Sequence, residues 1–496
     1  MLASALEGFM PLLSWSGLLL LLLGTLMGML FGILPGLGGP QVLALLIPVT
    51  YGLSPHMATI ILIGAMGAVP FSGSITAILI NTPGTGASAA TTFDGFPLSR
   101  QGKAGLALGA SATASALGAI FGAAVLALLI PVGRQVIMAF SYPEFFMLAI
   151  MGLSVIALVS QGSPWKSLIS GGFGLMLSTI GSDPITGLSR FTFGNFYLWD
   201  GIKPVPALIG MFAIAESIDL FIKKESIAGQ HKILISGVWD GIRSVFQNFG
   251  VFLRGSIIGT VIGIIPGVGG VVANFLAYAQ TIQTAKDKSG FGKGDIRGVI
   301  AAEAANNAKD GGALVPTVVF GIPGSLEMAV LLGALILHGL EPGPDLLLDR
   351  LDIIFTLIFT LVLANILVSV IGLVSARQLA RLTKIPSAYV APVIFCLSLI
   401  GAYSMNNLFG DVLVTLCFGI FGYFVKRLGY SKIALVIALL LGKIAQESFH
   451  QTLVSMGIKG FFVRPISLCL FILILVFLTL PYLKTFSPRQ AKGLLK

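Results

Sequence analysis

Charge is scarce in this chain of 496 residues: Asp, Glu, Lys and Arg together make up 10% of it, against about 25% in an ordinary soluble domain. Apolar residues fill the gap, at 56% of the chain with a mean hydropathy of +0.97. A water-soluble fold of that composition would show a large greasy surface, which soluble proteins avoid. Lipid removes the difficulty by being the solvent of the outer face. Cysteine is nearly absent, and Cys396, Cys417 and Cys469 stand in apolar surroundings, which excludes a disulfide framework or a zinc site. The four histidines are isolated. Glu447 and His450, at i, i+3, form one ligand pair, where a di-metal bundle needs a second pair and further carboxylates. No cofactor or metal centre is expected. No G-x-x-x-x-G-K-[ST], G-x-S-x-G or H-E-x-x-H occurs, which excludes nucleotide hydrolysis and two hydrolase classes on their motifs. A cleavable leader is not expected either. The first residues lack a basic n-region, and Leu18–Leu34 runs into glycine-rich sequence with no A-x-A site.

The basic residues do not form a face. The net charge is +10, yet its carriers sit in short connections between apolar runs: Lys223 and Lys224; Arg377, Arg381 and Lys384; Lys426, Arg427 and Lys432; Lys484, Arg489, Lys492 and Lys496. Positive-inside topology explains this distribution, and nucleic acid is not an expected partner. The same rule places the basic C-terminus in the cytoplasm and the N-terminus, with Glu7 and no Lys or Arg in its first fourteen residues, outside.

About 20 apolar residues cross a bilayer core. Candidate spans are Trp15–Leu34, Ala104–Ile130, Phe145–Val159, Val205–Ile222, Ile353–Ser375, Ala388–Ser404, Val412–Val425 and Ile466–Leu480. Shorter, glycine-interrupted pieces lie between them. The expected fold is an all-α polytopic membrane protein of about 10 to 12 transmembrane helices, some broken or re-entrant. Its expected parts are a first half over 1–222, an interfacial linker over 223–250 and a second half over 251–496.

Two glycine-proline motifs recur in the same order. Gly32-Ile-Leu-Pro-Gly-Leu-Gly-Gly39 returns as Gly263-Ile-Ile-Pro-Gly-Val-Gly-Gly270, and Asn81-Thr-Pro-Gly-Thr85 returns as Gly321-Ile-Pro-Gly-Ser325, at offsets of 231 and 240. Each second motif then enters a small apolar segment ending in Asp94–Gly95 or His338–Gly339. The repeats are expected to be inverted; an even number of crossings between them would make them parallel. Proline and glycine open the backbone ladder, which is tolerable at membrane depth only where another group satisfies the freed amides and carbonyls. Half-helix N-termini offer N–H groups to anions and unwound carbonyls hold cations, so paired interruptions point to a transport site. Gly24, Gly28 and Gly32, like Gly255, Gly259 and Gly263, have the spacing of close helix packing instead.

The candidate substrate- and ion-binding residues are therefore Gly36, Gly38, Gly39, Gly267, Gly269 and Gly270 in the first motif pair, and Asn81, Thr82, Gly84, Thr85, Gly324 and Ser325 in the second. Ser72, Ser74, Asn306 and Asn307 add neutral oxygens nearby. Among carboxylates in or beside apolar segments, which are functional by default, Asp94 and Glu303 are preferred over Glu144, Asp183, Glu216, Asp219, Asp310, Glu327 and Asp411. Gly292-Lys-Gly-Asp295 matches the G-x-G-D of intramembrane aspartyl proteases but lies in a charged insert, Lys286–Arg297. A channel would show rings or filters rather than a two-fold repeat.

These motifs resemble the TctA family, the large permease of tripartite tricarboxylate transporters. The matching stretches are Gly32–Gly39, Gly73-Ser-Ile-Thr-Ala-Ile-Leu-Ile-Asn-Thr-Pro-Gly84, Asp94-Gly-Phe-Pro97 with Gln101–Gly102, Pro266–Gly270, Glu303-Ala-Ala-Asn-Asn307, Gly311–Pro316, Gly321–Ser325 and Gly339–Pro344. The resemblance implies a bacterial inner-membrane import system of three proteins. A periplasmic solute-binding protein captures an organic carboxylate, a small membrane subunit accompanies the permease, and Na⁺ or H⁺ drives transport without ATP. Moving one negative charge inward against 100 mV costs about 2.3 kcal/mol, so a dianion needs at least two cations to neutralise that cost.

Overall fold

The computed structural model describes residues 1–34, 36–159, 164–183, 186–223, 236–267, 269–382 and 387–485. Pro35, Lys224, Lys384, Arg489, Lys492, Lys496 and the part of the expected linker from 224 to 235 lie outside the described residues.

Helices dominate. In chain order they are α1 (Leu2–Leu13), α2 (Trp15–Ile33), α3 (Gly39–Leu46), α4 (Pro55–Ile80), α5 (Ala89–Arg100), α6 (Ala104–Met138), α7 (Tyr142–Val159), α8 (Pro164–Ser178), α9 (Pro204–Leu208), α10 (Ala215–Lys223), α11 (Val238–Gln247), α12 (Phe249–Ile264), α13 (Gly269–Thr284), α14 (Ile296–Phe320), α15 (Leu326–Leu337), α16 (Pro344–Asp349), α17 (Leu351–Leu382), α18 (Ser387–Asn406), α19 (Phe409–Arg427), α20 (Lys432–Met456), α21 (Gly460–Val463) and α22 (Pro465–Thr485). A π-helical stretch, Ile209–Ile214, joins α9 to α10. The strands among the described residues are Gly181–Ser182 and Ser189–Arg190, paired antiparallel.

Eight helices among the described residues are long and apolar enough to cross a membrane; the pair α11–α12, bent by 79°, makes a ninth if counted as one span. Shorter apolar helices, α3 and α15 among them, supplement these. The chain is an all-α polytopic membrane protein. Helix starts follow local chemistry: the Ser14 hydroxyl accepts from the Gly17 amide at 3.0 Å and Ser54 from Met57 at 3.5 Å, with Pro55 at the first position of α4, where its missing N–H costs nothing. The apolar segment α4 is buried on every side, as expected of a helix with no polar face.

Two compact units divide the chain, one of Met1–Ile137 with Val205–Tyr423 and one of Met138–Pro204 with Phe424–Lys496. In the smaller unit α20 packs on α7 and α8, and α22 on α7. Buried Glu144 accepts from Arg464 Nε at 2.7 Å and from the Ser141 amide at 2.9 Å, while Asp183 pairs with Arg190 at 3.0 Å. Two of the carboxylates noted in apolar sequence are thus paired within this unit.

In the larger unit the repeat is visible as geometry. The last residue before each break has nearly the same backbone, φ −81° and ψ 113° at Leu34, φ −81° and ψ 112° at Ile265. Gly36 and Gly267 then adopt φ of +86° and +79°, a region open to glycine at no steric cost. Downstream, α4 and α14 end on left-handed residues, Asn81 (φ 56°) and Gly321 (φ 68°). Helix contacts repeat in register: a Cβ on Gly24, Gly28 or Gly32 would strike the backbone of Ile61, Ala65 or Val69, and a Cβ on Gly255, Gly259 or Gly263 that of Ala301, Ala305 or Lys309, each struck residue 240 positions after its counterpart. Small residues let the backbones of α2 and α4, and of α12 and α14, approach this closely.

Gly28→Ala and Gly259→Ala should therefore lower the thermal-unfolding midpoint and the monodisperse yield, at about 1 to 3 kcal/mol of overpacking each. Gly172→Ala, where a Cβ meets nothing within 4 Å, should leave both unchanged. Size-exclusion profiles after a temperature series measure the difference.

Candidate functional site

Both breaks and both Pro-Gly loops of the larger unit meet one another. Around Gly38 a Cβ would stand 3.7 Å from Thr85, in the first Pro-Gly loop, and at Gly39 it would run into Cγ of Glu327, in the first turn of α15. Ser325, the N-cap of α15, donates to Glu327 Oε2 at 2.8 Å, and its neighbour Gly324 accepts from the Gly267 amide at 3.0 Å. From the second break, Gly270 abuts Ala87 and the stem of Lys309, Val271 abuts Gly86, and Asn274 donates to the Ala87 carbonyl at 2.8 Å. Ala87 leads back to Thr85 through the first loop. The circuit closes, and it joins residues from both repeats.

Charge stands against this ring. Lys309, with a side chain only 6% exposed, places Nζ 2.6 Å from Asp310 Oδ1, and Glu327 feels its field from α15. One turn earlier on α14, Asn306 is fully buried with neither side-chain polar atom paired, and Asn307 donates to Asn365 on α17 while its own Oδ1 has no partner. Unpaired acceptors in a water-poor interior cost about 1 to 3 kcal/mol each. Glu216, on α10, comes within 3.6 Å of where a Cβ on Gly36 would lie.

Glu303 forms a second focus on α14. Its carboxylate is fully buried and accepts from Ser74 of α4 at 2.7 Å, from Ser115 of α6 at 3.0 Å and from Thr91 of α5. Ser74 and Thr85 both bond Ser88, so a hydroxyl chain runs from the first loop to Glu303. Ser74 and Glu303, chosen separately in the sequence, are direct partners.

Other candidates are engaged locally. Ser72 donates to the carbonyls of Ala68 and Val69 at 2.8 and 2.9 Å. Thr82 donates to the Ile80 carbonyl at 3.3 Å. Asn81 is exposed and serves as the left-handed terminator of α4, a conformation that asparagine tolerates. Gly84 and Gly324 lie so tightly on the backbone of Gly32 and Gly73, and of Ala313, that a Cβ has no room. Gly269, at φ +73°, has open space around it.

Asp94 stands in mid-helix on α5 rather than at a segment end, one turn from Thr91. It accepts from the amides of Gly294 and Asp295, both at 2.9 Å, and from the Tyr278 hydroxyl at 2.9 Å. It thereby anchors the charged insert between α13 and α14. The G-x-G-D aspartate, Asp295, is the N-cap of α14 and pairs with Arg297. The sequence reading passed over Lys309, Thr91, Ser115 and Asn365. Lys309 carried a signal, an ionisable residue inside an apolar stretch; the other three become visible only when α5, α6 and α17 meet α4 and α14.

The family model described as "Tripartite tricarboxylate transporter TctA family" matches residues 18–437. The chain belongs to the tripartite tricarboxylate transporter TctA family. It is 34% identical over 432 residues to the "Uncharacterized 52.8 kDa protein in TAR-I ttuC' 3'region" of Agrobacterium vitis, covering 87% of this chain and 86% of that one. A second Agrobacterium vitis protein, "Uncharacterized protein in TAR-II ttuC' 3'region", is 32% identical over 196 residues, 40% of this chain and 81% of its own length. No solved structure matches. As a TctA-family member the protein is a large subunit of a tripartite tricarboxylate transporter, and the ring lies wholly within the matched residues.

If Asp94 holds the insert, Asp94→Ala should speed tryptic cleavage at Lys286, Lys288 and Lys293 by about five- to 150-fold, the equivalent of about 1 to 3 kcal/mol for lost buried acceptors. Tyr278→Phe should give a smaller increase. Cleavage-site mass spectrometry reads the rates; equal rates in Asp94→Ala and wild type would remove the anchoring role.

Proposed function

We propose that this chain imports small organic carboxylates across a bacterial inner membrane, driven by a co-transported cation, with the ring of paired breaks and Pro-Gly loops as its binding site. The observation that carries the reading is the meeting of both breaks, Gly36–Gly39 and Gly267–Gly270, at one buried charged cluster containing Lys309. Helix N-termini and a buried ammonium attract carboxylates. The unpaired oxygens of Asn306 and Asn307, with Asp310 beside them on α14, suit a small monovalent cation, Na⁺ being favoured over H⁺ by the two neutral amides. Glu303 and its hydroxyls tie the first repeat to the helix that bears these groups. The substrate class within organic carboxylates follows the periplasmic solute-binding protein, which delivers it, and a small membrane subunit completes the assembly. Positive-inside charge supports a cytoplasmic C-terminus.

Uptake of labelled citrate and succinate into cells expressing this chain should require both partner proteins and should saturate with Na⁺. Robust uptake without either partner, or an ohmic current in liposomes, would refute the reading. Asn307→Ala should raise the Na⁺ concentration for half-maximal uptake by about five- to 150-fold. Initial rates against Na⁺ concentration, normalised to folded protein, provide the measurement.

A further inference from the structure

We infer that Glu327 is a built-in stand-in for a substrate carboxylate: it occupies an anion position at the break before α3, shares Lys309 as counter-ion, and is displaced when a carboxylate ligand binds. The inference rests on the carboxylate reading above and names the groups that ligand must exchange with.

The placement is specific. Glu327 lies against Gly39, the first residue of α3, closely enough that a Cβ there would meet its Cγ and stand 3.3 Å from its Oε1. The N-terminal turn of a broken helix is where free N–H groups and the positive end of the dipole favour an anion. Ser325 adds a hydroxyl donor at 2.8 Å. Lys309 attracts Glu327 without direct contact, its ammonium being held by Asp310 at 2.6 Å and its stem lying on Gly270 in the other break. An ammonium with a side chain 6% exposed requires a compensating anion whether or not a ligand is present. One lysine faces two protein carboxylates, Asp310 on its own helix and Glu327 on another, so Glu327 is the partner that can leave while the ammonium stays paired. A small carboxylate presents the same group to the same donors. Asn306, buried one turn before Lys309 with its side-chain amide nitrogen unpaired, supplies an N–H donor that the protein alone leaves unused and that a ligand with further oxygens would engage.

A stand-in competes with its ligand, so removing it should strengthen binding, the reverse of what a structural residue would do. The full-length chain is purified in detergent and its unfolding midpoint followed against citrate and against succinate. Glu327→Gln should lower the dissociation constant of the bound anion about tenfold. Lys309→Gln should raise it at least tenfold. Where Lys309→Gln leaves Asp310 unpaired and fails to fold, Lys309→Gln/Asp310→Asn, which removes the ion pair as a unit, takes its place. Weaker or unchanged binding in folded Glu327→Gln, or wild-type affinity without Lys309, would overturn the stand-in while leaving the transporter reading intact. Wild-type protein and Glu327→Gln both insensitive to either anion would overturn the carboxylate reading, and the stand-in with it.

Discussion

A helix that stops inside a membrane protein leaves amides and carbonyls that hydrocarbon cannot satisfy, and the larger unit is organised around meeting that demand twice. Gly36 is exposed, Gly38 and Gly39 are buried, and Gly267, Gly269 and Gly270 are half-buried. Each break is set beside the N-terminal residues of another half-helix or the end of a long one: Gly267 donates to Gly324, and Gly38 and Gly39 lie against Thr85 and Glu327. The breaks and Pro-Gly loops therefore depend on one another, and the ring is the consequence. Glycine-to-backbone contacts of α2 on α4 and α12 on α14 set each break at the height of its loop.

Much of this could be read from the amino acids because glycine and proline act through the backbone. Two motifs repeated in order foretold two equivalent breaks, and the matching dihedrals at Leu34 and Ile265 give that expectation physical form. Periodicity of small residues marked Gly24, Gly28 and Gly32 as packing glycines, and a Cβ on any of them would meet the backbone of α4. The loop glycines themselves divide further than sequence could show. Gly36, Gly267 and Gly269 adopt left-handed backbone, the last with open space around it, and Gly84 and Gly324 serve close packing.

Side-chain partnership was far less legible. Nothing in local sequence links Glu303 to Thr91 and Ser115, which lie about two hundred residues away on helices that meet only in the folded chain. Asp94 looked like Glu303, a lone carboxylate beside an apolar segment, yet it caps a loop whose backbone donors are two hundred positions distant. Lys309 was overshadowed by Asp310 at its side. A neighbouring opposite charge reads as a neutral surface pair in sequence, and burial alone distinguishes it.

The two repeats share a backbone plan but not a chemistry. Where α14 carries Glu303, Asn306, Asn307, Lys309 and Asp310, the positions 240 residues earlier on α4 are Ile63, Met66, Gly67, Val69 and Pro70. Duplicated architecture has thus been furnished on one side only. A carrier with two equally polar halves would offer its cargo a pair of equivalent berths related by the repeat, and an even choice between them. Here the second half brings the buried charges and unpaired amides and the first half brings hydroxyls and a broken helix, so a nearly symmetric frame encloses a handed cluster.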